Sequence, residues 1–319
     1  MASRTQARPS ATLRRPSPLT QIRTRSRPCS GEEPLRQVGG YGSGRRREMG
    51  RVIRVRAPAT TANVGPGFDC AGIALDLWNE LEVEEDAEAP PPDLRHLGVA
   101  AFSLFASPQG RRFRFVDRIP RARGLGSSAA VIALGLVAGA LASGHRPDAE
   151  DLLARGVHLE GHPDNLAAAL AGGVCLTWDN RIARIADGPP AFPIALVPEE
   201  EVETEASRAT LPPSVPHGDA AFSACRAALL GAALASGSPR LFAAALTDRL
   251  HEPYRSPFLR EVRSALPPQA LGATLSGSGP TVIVWARPGQ EDACAAALRA
   301  RFPGRRILPV RVSPKGAIP

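Results

Sequence analysis

The chain has 319 residues, 43% of them hydrophobic, so it is long enough to bury one large core or two modest ones. It has no run of 18 or more apolar residues, which excludes a membrane-spanning helix. A formal net charge of +8 suggests nucleic acid, but residues 1–48 hold 11 arginines and 3 glutamates, leaving 28 basic and 28 acidic residues beyond them. The globular part therefore has no electrostatic footprint for nucleic acid.

The leader, residues 1–48, is rich in Arg, Pro, Ser, Thr and Gly and poor in large apolar residues, so it is expected to be disordered. It reads as a transit peptide, as a basic binding arm, or as translated upstream sequence with the true start at Met49; the third reading is favoured. Five scattered cysteines, odd in number and without a CxxC pair, fit a reducing, cytoplasmic protein with no disulfide framework and no zinc site.

In chain order, Val52–Arg56 and Ile73–Glu84 alternate as half-buried strands do. The prolines of Ala89–Pro92 precede a short helix near Leu97–Phe105 and a strand at Phe113–Val116. The apolar run Ala129–Ala142 is too long for a strand and predicts a buried helix. Helices near Ala149–Leu159 and Asn165–Ala171 and a strand at Val174–Trp178 follow. Ala186–Pro193, with three prolines, reads as an inter-domain linker. Beyond it come a strand at Ile194–Val197, helices at Ala220–Ala235 and Pro239–Leu250, and strands at Ala273–Leu275 and Thr281–Ala286. A helix at Glu291–Arg301 and a strand at Ile307–Val312 close the pattern. Interleaved strands and helices in two halves, 49–188 and 189–319, predict a two-domain α/β or α+β protein.

The most informative segment is PRARGLGSSAA, residues 120–130. Gly124 and Gly126 remove side chains so that amides can approach a ligand, and Ser127 and Ser128 sit where an N-cap would. The free amides of the helix that follows favour an anion such as a di- or triphosphate. Read alone, the segment is also a turn that merely caps a helix. A P-loop is excluded, because the single lysine, Lys315, is followed by glycine, and a protein-kinase strand lysine is missing. Any ATP site must rely on amides, serines and a metal.

Three further segments carry polar chemistry. In PATTANVGPGFD (residues 58–69), Asn63 and Asp69 bracket a Gly-Pro-Gly turn. EGHPDN (residues 160–165) gathers hard oxygen ligands suited to Mg²⁺. His158 and His162 are four apart, but Gly161 and Pro163 argue against the continuous helix that zinc binding by the pair would need. LSGSGP (residues 275–280) is a second glycine loop between strands.

In this order and spacing the segments resemble the GHMP small-molecule kinases, named for galactose, homoserine, mevalonate and phosphomevalonate. The resemblance runs from about Arg51 to Val312. Within the family, NVGPGFDCAGIALDLWNE, EGHPDN and HEPYR (residues 251–255) are similar to the branch that phosphorylates L-homoserine on the way to threonine. The resemblance implies an α+β, two-domain GHMP kinase fold. Its N-terminal α/β domain would be of ribosomal-protein-S5-like type with a left-handed crossover, its C-terminal domain ferredoxin-like, and its active site in the cleft between them.

The resemblance also implies roles. ATP phosphates would lie on Pro120, Arg121, Ala122, Arg123, Gly124, Leu125, Gly126, Ser127, Ser128, Ala129 and Ala130. Mg²⁺ would be held by Ser128 and Glu160, or by a carboxylate further upstream at the position Ala154 occupies. Asn63, Asp69, His162, Asn165, Thr204, Arg208 and Arg255 would surround L-homoserine. Arg208 and Arg255 suit its carboxylate and Asp69 its ammonium. Asn165 and Arg208 are the implied catalytic residues; Asn165 stands where related kinases have an aspartate, so no general base is assigned. Relatives are commonly homodimers, and no nucleic-acid or membrane partner is expected. The rival readings are a kinase of the same family for mevalonate, a sugar or another amino alcohol, and a non-catalytic nucleotide-binding descendant.

Overall fold

The computed structural model describes residues 52–319; expectations for the leader lie outside the described residues. The alternation after Met49 extends further than the sequence reading had it. Strands β1 (Val52–Asn63) and β2 (Gly67–Glu85) form one long antiparallel hairpin around the turn at 64–66. Strand β3 (Arg111–Val116) pairs with the far half of β2, and β4 (Val174–Trp178) with its near half. Strand β5 (Arg181–Ala186) completes a five-stranded sheet. It was not expected: its Arg-Ile-Ala-Arg-Ile run matches neither period cleanly. The chain reaches it through a tight turn at Asp179 and Asn180, both at positive φ, where a two-residue hairpin loop favours Asp and Asn.

One face of this sheet carries a charge ladder, with Glu82 between Arg54 and Arg114 and an Arg54–Glu82 ion pair of 2.8 Å. The other packs on helices. Helix α1 (Leu97–Ser103) lies against α2 (Ser127–Ala142), the predicted apolar run, which is buried almost all round as a helix without a polar face must be. The two helices approach through glycine: a Cβ on Gly135 would stand 2.1 Å from the Gly98 carbonyl oxygen. Helix α3 (Ala149–Glu160) is N-capped by Asp148 and stops at Gly161, φ 84°. Helix α4 (Pro163–Ala171) then starts afresh at Pro163, with His162 as its N-cap. His158 and His162 therefore sit on different elements.

The chain leaves the first sheet at Ala186 and enters the second at β6 (Phe192–Val197). Helix α5 (Thr204–Ala209) was not expected. Helix α6 (His217–Ser236) follows, then α7 (Pro239–Ala245), which ends five residues before the predicted Leu250. There the Asp248 carboxylate takes the backbone N–H groups of Leu250, His251 and Glu252 and diverts the chain into the short helix α8 (Glu252–Arg255). Helix α9 (Pro257–Ser264), also unforeseen, leads to β7 (Ala270–Leu275), β8 (Val282–Ala286), α10 (Glu291–Arg301) and β9 (Arg306–Pro309). The last strand stops three residues short of the predicted Val312.

The second sheet runs β7-β8-β6-β9, antiparallel throughout, with helices between β6 and β7 and between β8 and β9, the split βαβ arrangement of ferredoxin-like folds. Its strands alternate strictly. Ile194, Leu196, Val282 and Val284 pack under α9 and α10, whereas Ala195, Val197, Ile283 and Trp285 join the main core with residues of the first sheet. Residues 52–319 thus belong to a single compact unit.

Residues 311–318 return to the first sheet. Ser313 donates to the Ala74 carbonyl at 3.0 Å, and Arg56 and Ile318 exchange two backbone hydrogen bonds, at 2.8 and 3.0 Å.

Candidate functional site

The hairpin turn, the N-terminus of α2, the α3–α4 break, α5 and the loop between β7 and β8 converge on one pocket. On its wall lie Pro120 and the run from Ala122 to Ser128, with Asn63, Asp69, Glu160, His162, Asp164, Asn165, Thr204, Arg208 and Arg255. Arg121, Ala129 and Ala130 of the predicted loop lie outside it, the two alanines fully buried.

The N-cap of α2 is Gly126 in the left-handed conformation, not a serine; Ser127 and Ser128 are the first two helical residues. Their amides, with that of Ala129, are the unpaired donors of the helix N-terminus. The glycines are required for a reason beyond ligand access. A Cβ on Gly126 (φ 64°) would stand 1.8 Å from the Thr60 hydroxyl, and one on Gly124 (φ 73°) 2.3 Å from the Ser276 carbonyl oxygen. Gly126→Ala is therefore expected to cost about 1–3 kcal/mol through left-handed strain, with more from the overlap. Thermal unfolding with and without ATP should show a lower Tm and lost nucleotide stabilisation.

The two loop arginines do not face the amides. Arg121 pairs with Asp117. Arg123 donates to the Pro198 and Glu199 carbonyls and pairs with Glu201 at 3.0 Å. It thereby ties the phosphate-type loop to the segment that leads into α5.

Beside the amides, the Ser128 hydroxyl donates to Glu160 Oε2 at 2.7 Å. Burial pushes the Glu160 carboxyl up to about 7, with the Ser128 bond pulling it partly back and Asp164 adding to the rise. A carboxylate so placed gains by meeting a cation. Ala154, the alternative position, is exposed on α3. No cluster of three or more His, Cys, Asp or Glu suited to a metal occurs among the described residues. Two hard oxygen ligands that leave the rest of the shell to phosphate oxygens and water fit Mg²⁺.

At the other end, Asn63 uses its amide within the protein. Its Nδ2 donates to the Gly277 carbonyl and its Oδ1 accepts from the Asp69 amide, both at 2.9 Å. Thr60 Oγ1 donates to Asn165 Oδ1 at 2.7 Å and Asn165 Nδ2 donates one hydrogen to Asp164 Oδ1 at 3.4 Å, which fixes the amide and leaves the second Nδ2 hydrogen over. Asp164, the second carboxylate of EGHPDN, is buried at 2% exposure and accepts from the Asn165 backbone N–H at 2.7 Å. Its burial raises the carboxyl to about 6. His162 is held below its usual range by burial and then by Arg208.

Arg208 pairs with Asp69, and its helix docks on the second glycine loop through a 2.8 Å bond from Ser207 Oγ to the Ser278 carbonyl. Arg208 and Arg255 each keep a buried Nε–H with no protein partner. Two guanidinium Nε–H donors are thus left unpaired near the Asp69 carboxylate. Phe68 and His251, which the sequence reading passed over, form the wall behind them; the place of Phe68 beside Asp69 and of His251 in HEPYR was the available signal.

Family models for the GHMP kinases N-terminal domain and the GHMP kinases C-terminal domain match residues 95–173 and 226–304. A homoserine kinase of Streptomyces avermitilis is 40% identical over 271 residues, covering 76% of this chain and 88% of that protein. A homoserine kinase of Thermus thermophilus is 37% identical over 289 residues, 80% and 94% of the two chains. Among solved structures, a homoserine kinase from Cytophaga hutchinsonii superposes with a TM-score of 0.72 at 26% identity, over 84% of this chain and 96% of that one. The mevalonate kinase of Methanococcus jannaschii shares the fold at a TM-score of 0.62 and 15% identity, over 83% and 99%.

Proposed function

Because the chain belongs to the GHMP kinase family, we propose that it transfers the γ-phosphoryl group of ATP to the side-chain hydroxyl of L-homoserine, giving O-phospho-L-homoserine. The observation that carries the choice of acceptor is the pair of buried Nε–H donors that Arg208 and Arg255 keep without a protein partner, close to Asp69, with which Arg208 pairs. That arrangement suits an amino-acid zwitterion, with its carboxylate on the arginines and its ammonium on Asp69. Mevalonate and galactose have no ammonium to offer Asp69.

Phosphoryl transfer has a loose transition state, so the protein works by positioning and by stabilising charge. The amides at the start of α2 hold the polyphosphate, and Ser128 and Glu160 would hold Mg²⁺. When bound, the ion neutralises charge on the phosphate oxygens. Asn165, with Oδ1 committed to Thr60, offers Nδ2 to the acceptor hydroxyl oxygen and directs its lone pair at phosphorus. An amide does not take the hydroxyl proton; the proton passes to a phosphoryl oxygen directly or through water. Arg208 adds positive charge near the transfer path. Asp164 keeps the Asn165 backbone in place.

ADP release by the purified protein with Mg-ATP tests the reading, with L-homoserine, mevalonate, galactose and no acceptor compared. Turnover with homoserine alone is expected. Turnover with mevalonate or galactose and none with homoserine overturns it.

A further inference from the structure

His251 is fully buried at the start of α8, its backbone N–H donating to Asp248 Oδ2 at 2.7 Å. The same carboxylate accepts the Ser223 hydroxyl at 2.9 Å, which anchors it to α6. The imidazole is engaged at both nitrogens. Nε2 lies 2.8 Å from the Gly65 carbonyl oxygen, and Nδ1 lies 3.3 Å from Arg255 Nη1. A carbonyl only accepts and a guanidinium only donates, so the ring carries its proton on Nε2 and a lone pair on Nδ1. Burial keeps the ring neutral, holding its pKa down at about 4.

Phe68 stacks on the imidazole, with centroids 4.8 Å apart and planes at 17°. The guanidinium carbons of Arg255 and Arg208 stand 5.1 and 5.5 Å from the centroid of the same Phe68 ring. Arg255 is thus held by a ring nitrogen and a ring face, both inside the protein, with its buried Nε–H left over. Gly65 lies in the turn between Asn63 and Asp69. His251 therefore joins the segment bearing Asp69 to the arginine that faces it.

We propose that His251 is a positioning residue for substrate recognition: with its proton on Nε2 it presents the Nδ1 lone pair to Arg255 and so holds that guanidinium where the acceptor carboxylate docks. The proposal rests on homoserine being the acceptor. It makes His251 a determinant of KM for an amino acid, not of phosphoryl transfer itself.

Two variants separate the bonds of the ring, because an asparagine amide reaches the place of Nδ1 and a glutamine amide that of Nε2. His251→Asn keeps an acceptor for Arg255; His251→Gln keeps the donor to Gly65 and loses that acceptor. The expected result is a homoserine KM raised at least about tenfold in His251→Gln, the scale of one charge-assisted hydrogen bond, and much less in His251→Asn. ATP KM and kcat should stay near the wild-type values in both. For 3-aminopropan-1-ol, which keeps the hydroxyl and ammonium but lacks the carboxylate, kcat/KM should be the same in wild type and variants.

Equal losses in the two variants, or an equal loss with the carboxylate-free acceptor, would make His251 a packing residue and overturn the proposal. A wild-type enzyme that ignores homoserine would defeat the functional reading instead. Should neither variant fold, ¹⁵N chemical shifts of the wild-type ring still decide: the Nε2–H tautomer supports the proposal and the Nδ1–H tautomer overturns it.

Discussion

Replacing Arg255 with alanine is expected to raise the KM for L-homoserine on the order of 100- to 1,000-fold while leaving the KM for ATP near its wild-type value. Truncating one member of a buried charge pair costs about 2–5 kcal/mol, because the partner charge is left without compensation. Here that partner is the substrate carboxylate. Burial lowers the Arg255 pKa, and neighbouring Arg208 lowers it further, so this guanidinium stands where an arriving anion is worth most. Steady-state kinetics varying each substrate in turn would check the result. Equal rises in both KM values would remove Arg255 from the acceptor site.

The second large effect is a pH dependence that belongs to Glu160. Its carboxyl is raised to about 7 by burial, whereas binding a cation needs the carboxylate. Below pH 7, affinity for Mg-nucleotide should fall by about tenfold per pH unit; above it, affinity should level off. Binding near pH 7 should release a proton, measurable by calorimetry in buffers of different ionisation enthalpy. Glu160→Gln should abolish the step centred at 7 and the dependence on Mg²⁺ together. The linked stability has the opposite sign. A folded-state pKa above the unfolded value means the ligand-free protein loses stability as pH rises from about 4.5 to 7. Glu160→Gln should remove that loss. A pH profile unchanged in the variant would assign the titration elsewhere, with Asp164, at about 6, the nearest other raised carboxyl.

Features announced by local pattern were legible before the structure. The apolar run of α2 and the Gly-Pro-Gly turn have signatures within a few residues, whereas the pocket residues were expected from the family resemblance. What escaped depends on partners distant in sequence. The guanidinium of Arg123 is committed to the backbone of residues 198 and 199, and nothing in PRARGLGSS predicts that. Asn63, read as a substrate ligand, also gives one amide hydrogen to Gly277, 214 residues away. The segments β5, α5 and α9 are short, at most eight residues each, and intersperse charges among their apolar or small residues, so their structure comes from tertiary packing more than from propensity. The family resemblance left the metal carboxylate at Glu160 or at an upstream position where Ala154 stands. The bond from Ser128 to Glu160 favours the former.

The return of residues 311–318 to the first sheet has a consequence for synthesis. Strands β1 and β2 leave the ribosome early, yet Ala74 and Arg56 receive their backbone partners only when Ser313 and Ile318 have been made. During translation the N-terminal half therefore cannot reach its full backbone hydrogen-bond complement, as a separable domain would. Its first sheet must wait with these hydrogen-bonding groups unpaired until the rest of the molecule has been delivered.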